Sequence, residues 1–191
     1  MGYCNIEYGR IILGGMKKKT HTGCGNSHFV TFRCAGRRVL LGEPPVRQIA
    51  MSVLSSLAER GRVEVSAFVI MPDHVHALVW YPAGDKEHSN VIQTWKRLSS
   101  HYILKHFDTH AQGLSENLER TRNGSNIRSV WNRRFYDRNV LDHDEARDII
   151  DYIHHNPVKA GLVKRESDWI WGSAPWYNQR RDVGVRIKQG L

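Results

Sequence analysis

The sequence is poor in cysteine: Cys4, Cys24 and Cys34 are odd in number and include no C-x-x-C pair. A disulfide framework and a zinc ribbon are therefore excluded, and a reducing compartment fits. Nor is there any run approaching the roughly 18 consecutive apolar residues of a membrane-spanning helix. The one short apolar patch near the start, Ile11 to Leu13, is followed by lysines, with nothing like a cleavage site after it, so export is not expected. Internal repeats and low-complexity stretches are missing as well. A chain of 191 residues accommodates one well-buried core with tails but not two ordinary domains. The expectation is a single-domain cytoplasmic protein with no membrane contact.

What the chain has in excess is positive charge. Lys and Arg total 28 against 19 Asp and Glu, a formal charge of +9, which makes a polyanion the first partner to consider. Charge alone does not decide the matter, because many basic proteins have no nucleic-acid partner.

Residues 1–27 show no periodicity and carry Gly14, Gly15, Gly23 and Gly25 around lysines 17 to 19, the pattern of a flexible basic leader. His28 to Arg33 alternates as a strand does. Pro44-Pro45 then opens a helix whose stripe is Val46, Ile49, Ala50, Val53, Leu54 and Leu57, stopped at Gly61. Val63 to Met71 and Val75 to Tyr81 predict two antiparallel strands joined tightly at Pro72-Asp73. Val91, Ile92, Trp95, Leu98 and Tyr102 predict a second helix, with Lys96 and Arg97 elsewhere on its surface. The polar stretch 108–126 reads as a loop, and Trp131 to Val140 as a fourth strand. Asp142 and Glu145 have capping-box spacing before a third helix with Ala146, Ile149, Ile150 and Ile153, which Pro157 should end.

Strand, helix, strand, strand, helix, strand is the order of a split β-α-β unit. The expected fold is α+β, a ferredoxin-like antiparallel sheet with helices on one face, plus an added C-terminal helix and tail. The folded domain should span 28–178, with a basic tail over 179–191.

Two constellations can carry chemistry. His74 and His76 are two apart at the start of a strand, so both side chains share a face about 7 Å apart at Cα and can converge on one divalent ion. Tyr152 and Asn156 are four apart on the third helix, about one turn, presenting a hydroxyl and a metal-capable amide oxygen together; His155 is a reserve for the latter. Each pair has an ordinary structural explanation: two histidines with no ion, or a half-buried tyrosine beside a helix-ending Asn-Pro. Brought to one spot they can cleave a phosphodiester, the ion stabilising charge on the phosphate and the phenolate of Tyr152 attacking it.

At these residues the chain resembles a REP-associated tyrosine transposase, a branch of the HUH single-strand nucleases related to small insertion-sequence transposases. The matching stretches are AFVIMPDHVHALV over 67–79, WNRRFYD over 131–137, DYIHHNPVKAGLV over 151–163 and DWIW over 168–171. They fall in the family's order from about residue 28 to residue 177. The resemblance implies a Mg or Mn ion on His74 and His76, Tyr152 as nucleophile, and a 5′-phosphotyrosine with a free 3′-hydroxyl. It places the third ligand on Asn156, where insertion-sequence relatives carry the longer Gln. It also implies hairpin or single-stranded DNA from palindromic repeats as partner. Lys96, Arg97, Arg133, Arg134, Arg138 and Lys159 are candidates for the phosphate backbone, and Trp95, Trp169 and Trp171 can stack on bases or pack in the core. The alternative function is a hairpin-binding regulatory protein that does not cleave. Whether the protein acts as monomer or dimer is not legible.

Overall fold

The structure is a computed structural model and describes residues 27–82, 88–111, 118–122 and 125–188. The leader, with Cys4 and Cys24, and residues 189–191 of the tail lie outside the described residues. In chain order the elements are β1 (Ser27–Arg33), α1 (Pro44–Glu59), β2 (Glu64–Ile70), β3 (His74–Trp80), α2 (His88–His110), β4 (Glu119–Arg122), β5 (Ser125–Arg128), β6 (Tyr136–Asn139), α3 (His143–Lys159) and α4 (Ala174–Gln179). Four strands make one antiparallel sheet in the order β2-β3-β1-β6, the ferredoxin-like arrangement expected. β3 and β1 are therefore its interior strands.

Strand alternation divides the sheet into two differently covered faces. Val30, Phe32, Val75, Ala77 and Val79 point into the larger core, where α1 and α2 supply Val46, Ala50, Leu54, Ile92 and Trp95. Phe29, Ala67, Val69, Met71 and Leu78 point the other way and meet Ala146, Ile149 and Ile153 of α3. The two helices of the split unit thus share one face, and the added helix takes the other. Burial of Ile149 and Ile153 contributes roughly 3–6 kcal/mol to holding α3 there.

α3 starts as its sequence specifies. Asp142 accepts a hydrogen bond from the backbone of Glu145 at 2.8 Å, and the Glu145 carboxylate accepts one from Leu141 N–H at 2.7 Å. Its end differs from expectation, because Pro157 lies inside the helix, which continues to Lys159. A proline this close to the C-terminus forfeits one hydrogen bond, and the terminus is closed beyond it. Gly161 N–H donates to Val158 O and Leu162 N–H to Pro157 O, both at 2.9 Å, with Gly161 at φ +70°, a conformation suited to glycine.

Two further expectations are revised. The stretch 108–126 contains the last turn of α2 and most of a β4–β5 hairpin; its strands lack apolar alternation, so no strand pattern was visible. The fourth strand is also shorter. Trp131 pairs with Cys34, but the chain then leaves the ladder until Tyr136. Lys96 on α2 donates to the Arg133 carbonyl at 2.9 Å inside that break, with its ammonium over the Phe135 ring.

The segment after α3 is also built into the fold. Trp169 and Trp171 flank the Arg47 guanidinium, each ring centroid 5.3 Å from it, and Trp169 Nε1–H donates to Ile70 O. Gly172 follows, and a Cβ there would lie 3.0 Å from the Phe68 carbonyl oxygen, so any side chain would push β2 aside by a few tenths of an ångström. The expected basic tail is partly core: Val183 and Val185 are buried, and Ile187 bridges to Val65.

Ser173 joins three of these parts. Its buried hydroxyl accepts from Phe68 N–H at 2.9 Å, lies 3.2 Å from Phe68 O, and is 2.8 Å from His154 Nε2 on α3. Replacing it leaves buried polar groups without partners, at about 1–3 kcal/mol each. Ser173→Ala is expected to lower unfolding free energy by about 2–4 kcal/mol in urea titrations. A loss below about 0.5 kcal/mol would show that this junction does not hold the segment to the sheet.

Candidate functional site

The β2–β3 connection is a tight one, closed by Met71 N–H donating to His74 O at 2.8 Å, and it delivers His74 as the first residue of β3. Because Val75 points into the α1–α2 core, His74 and His76 point to the face that α3 covers. Both are buried, at 4% and 3% exposure. Their ring centroids are 4.7 Å apart at 82°.

One nitrogen of each ring is engaged. The Nδ1 of His74 lies 2.5 Å from the Asp73 carboxylate, and the Nδ1 of His76 lies 2.7 Å from the Thr31 hydroxyl. Thr31 is the β1 residue directly opposite His76, so strand register sets this contact. Arg33, opposite His74, places a guanidinium nitrogen 3.5 Å from the second Asp73 oxygen. The hydrogen bond from His74, together with the charges of His74 and Arg33, holds the Asp73 carboxyl below the usual carboxylate range despite its partial burial. Burial, then the neighbouring His74 and Arg33, push His76 well below the ordinary histidine range, so its ring is neutral at neutral pH.

The remaining nitrogens, Nε2 of both rings, are buried and have no hydrogen-bond partner. Leaving a buried polar atom bare costs about 1–3 kcal/mol, and here two occur side by side. A divalent cation fits them, since imidazole nitrogens with the opposite ring nitrogen held by a carboxylate or hydroxyl are ordinary metal donors. Among the described residues no three His, Cys, Asp or Glu side chains group as a metal site, so a third ligand drawn from them would be of another type.

α3 supplies the phenol and the amide. Tyr152 is 37% exposed, its ring 5.3 Å from that of His76 and 5.9 Å from that of Phe29. Phe29 in turn stacks on His76 at 5.6 Å. The helix thus brings the Tyr152 ring against His76 and leaves the residue partly exposed. Asn156, one turn on, is buried and donates Nδ2–H to Tyr152 O at 2.7 Å, which leaves Oδ1 as its accepting atom. His155 is turned outward and pairs with Glu166 at 3.1 Å, so the reserve candidate points away from the histidine pair.

The six candidate phosphate contacts divide. Arg97, Arg133 and Arg134 are exposed, and Arg97 and Arg133 line a groove between α2 and the 129–133 segment with Gln93, Trp131 and Asn132. Arg138 is on the α3 face and pairs with Glu145 at 2.6 Å; Lys159 is exposed at the end of α3. Lys96 is the exception: it is buried against Phe135 and bound to Arg133 O, and burial lowers its pKa to about 8. It supports the segment carrying Arg133 through one N–H and lines the same groove as Arg97 and Arg133. Of the tryptophans, Trp95 is core, with Nε1–H on Ala50 O, while Trp169 and Trp171 clamp Arg47. Thr31, Arg33 and Phe29 escaped the sequence reading because their place depends on β1–β3 register; adjacency to His74 was the visible signal for Asp73.

The chain is similar to several known proteins. An Escherichia coli (strain K12) protein described as a REP-associated tyrosine transposase is 28% identical over 159 residues, covering 83% of this chain and 79% of its own. A relative from Haemophilus influenzae is 28% identical over 136 residues, 71% of this chain and 70% of its own. A solved structure of a REP-associated tyrosine transposase bound to a REP hairpin shares the fold, with a TM-score of 0.60 at 22% identity over 92% of this chain and 93% of that one. The family model described as "Transposase IS200 like" matches residues 24–156, a span that includes His74, His76, Tyr152 and Asn156. The chain belongs to the IS200-like transposase family.

Proposed function

We propose that the protein is a metal-dependent endonuclease and strand-transfer enzyme for single-stranded DNA, acting at hairpins formed by palindromic repeats. The observation that carries this reading is the pair of bare, buried Nε2 atoms on His74 and His76 beside the ring of Tyr152. The family and the hairpin-bound structural relative support the DNA substrate.

His74, His76 and the Oδ1 of Asn156 would hold the ion, Mg or Mn by family resemblance. When bound it supplies a positive charge against the phosphate's non-bridging oxygens. The chain's own residues do the rest. Asp73 and Thr31 fix the two rings with Nε2 inward, and Arg33 adds positive charge at the same end of the sheet. Tyr152 attacks phosphorus through its hydroxyl: the Oη–P bond forms, the P–O3′ bond breaks, and a 5′-phosphotyrosine results. The phenol gives up one proton and the departing 3′ oxygen takes one up, leaving a free 3′-hydroxyl. Attack by a 3′-hydroxyl on the phosphotyrosine reverses the step and rejoins the strand. Arg97, Arg133, Arg134, Arg138 and Lys159 would contact the hairpin backbone as positioning charges without reading sequence.

Two outcomes are expected. With Mn and a labelled hairpin oligonucleotide, the protein should form a covalent adduct on a denaturing gel. Tyr152→Phe should abolish it while shifting hairpin affinity less than about threefold, since only a hydroxyl is lost. Binding with no adduct by the unaltered protein would favour the regulatory alternative. Thr31→Val keeps the strand shape and removes the His76 contact. It should weaken Mn binding about 10–100-fold in calorimetric titration and cost about 1–3 kcal/mol of stability, because His76 Nδ1 loses its partner; unchanged Mn affinity would show that Thr31 does not position a ligand.

A further inference from the structure

Phe29 stands at the middle of an aromatic row on the α3 face. On one side it contacts His76 and Tyr152; on the other its ring lies 6.2 Å from that of Tyr136 at 69°. Phe29 is covered, at 6% exposure, whereas Tyr136 is 46% exposed. Tyr136 opens β6, the edge strand, and it pairs with Thr31, which pairs with His76. Tyr136, Thr31 and His76 therefore form one row across three strands, with about 10 Å between the first and last Cα atoms at the usual strand spacing. Arg138, two residues further along the same face, is drawn toward α3 by Glu145 and does not lie over the ring as a described partner. The result is a tyrosine ring that meets Phe29 and is nearly half exposed, with Phe29 linking it to Tyr152.

We infer that Tyr136 is a base-stacking platform of this site, taking the nucleobase of a nucleotide that flanks the phosphate presented to Tyr152. The inference rests on the single-strand nuclease reading above and adds to it a residue that positions the substrate. An aromatic face accepts any of the four bases, so such a contact binds an unpaired strand without reading its sequence. A base inside a duplex has both faces covered and cannot use it. Tyr136 therefore also favours unpaired DNA at the cut, while leaving sequence choice to other contacts.

The test is a binding cycle on the full chain carrying Tyr152→Phe, so that no strand is cut. The probe is a synthetic DNA hairpin with a single-stranded foot in which an abasic residue is moved one position at a time, followed by fluorescence anisotropy. Replacing Tyr136 by Ala or by Thr, which suits a strand, should weaken binding of the intact probe about tenfold. One abasic position should weaken it by a similar factor, and the variant combined with that probe should be no weaker than either alone. Tyr136→Phe and Tyr136→Trp, which keep a ring, should bind like their parent. The inference is overturned if the Ala and Thr variants bind the intact probe like their parent, or if their losses multiply with those of every abasic position. Because nothing is cleaved in this cycle, absence of an adduct from the unaltered protein would refute the nuclease reading and leave the cycle readable.

Discussion

The Thr31 hydroxyl and the Asp73 carboxylate each take the Nδ1 of one histidine, at 2.7 and 2.5 Å, and so decide which nitrogen of each ring is left over. Had either contact gone to Nε2, the two rings would not turn equivalent donors to the same buried place. Both partners are anchored by the β1–β3 ladder: Thr31 sits opposite His76, and Cys34 N–H holds the Asp73 carbonyl at 2.7 Å. A shift of register by one residue would send Thr31 to the opposite face and break the arrangement. The stability of that ladder and the chemistry proposed for the site are therefore one constraint.

A second layer concerns the helix. The phenol of Tyr152 is useful only if α3 is held on the face the histidines share, and nothing in the split β-α-β unit requires a helix there. Two anchors hold it. One is the apolar contact of Ala146, Ile149 and Ile153 with the sheet. The other is His154, whose ring turns away from the site to reach Ser173, which is itself bound to β2. The tryptophan segment after α3 thus acts on the site from behind: it clasps Arg47 and β2 and gives α3 a fixed post. That accounts for the packing of this conspicuous aromatic cluster.

The fold was legible wherever burial imposes a period. Strand alternation at 28–33, 63–71 and 75–81, the helical stripe of α1, and the Asp142–Glu145 cap of α3 each led to the element observed. Legibility failed where polar side chains or backbone contacts decide. The β4–β5 hairpin has no apolar alternation to betray it, Pro157 is accommodated by a closed helix end, and the break before β6 depends on one lysine meeting one carbonyl. Lys96 shows the general difficulty: sequence counts its charge, but only packing shows that its ammonium also holds a backbone carbonyl. At the site, residue spacing was enough to bring His74, His76 and Tyr152 to attention. Their supporting residues Thr31, Arg33 and Phe29 come from a strand some forty residues away, and only register connects them.

The central claim is that the two inward Nε2 atoms together grip a divalent ion. Electron spin-echo spectroscopy of the Mn-loaded protein tests it most directly, because nitrogen bound to the ion modulates the echo. The account predicts modulation from two imidazole nitrogens, reduced to one by His74→Ala or by His76→Ala. Mn bound without nitrogen modulation, or modulation that survives replacement of both histidines, would contradict it.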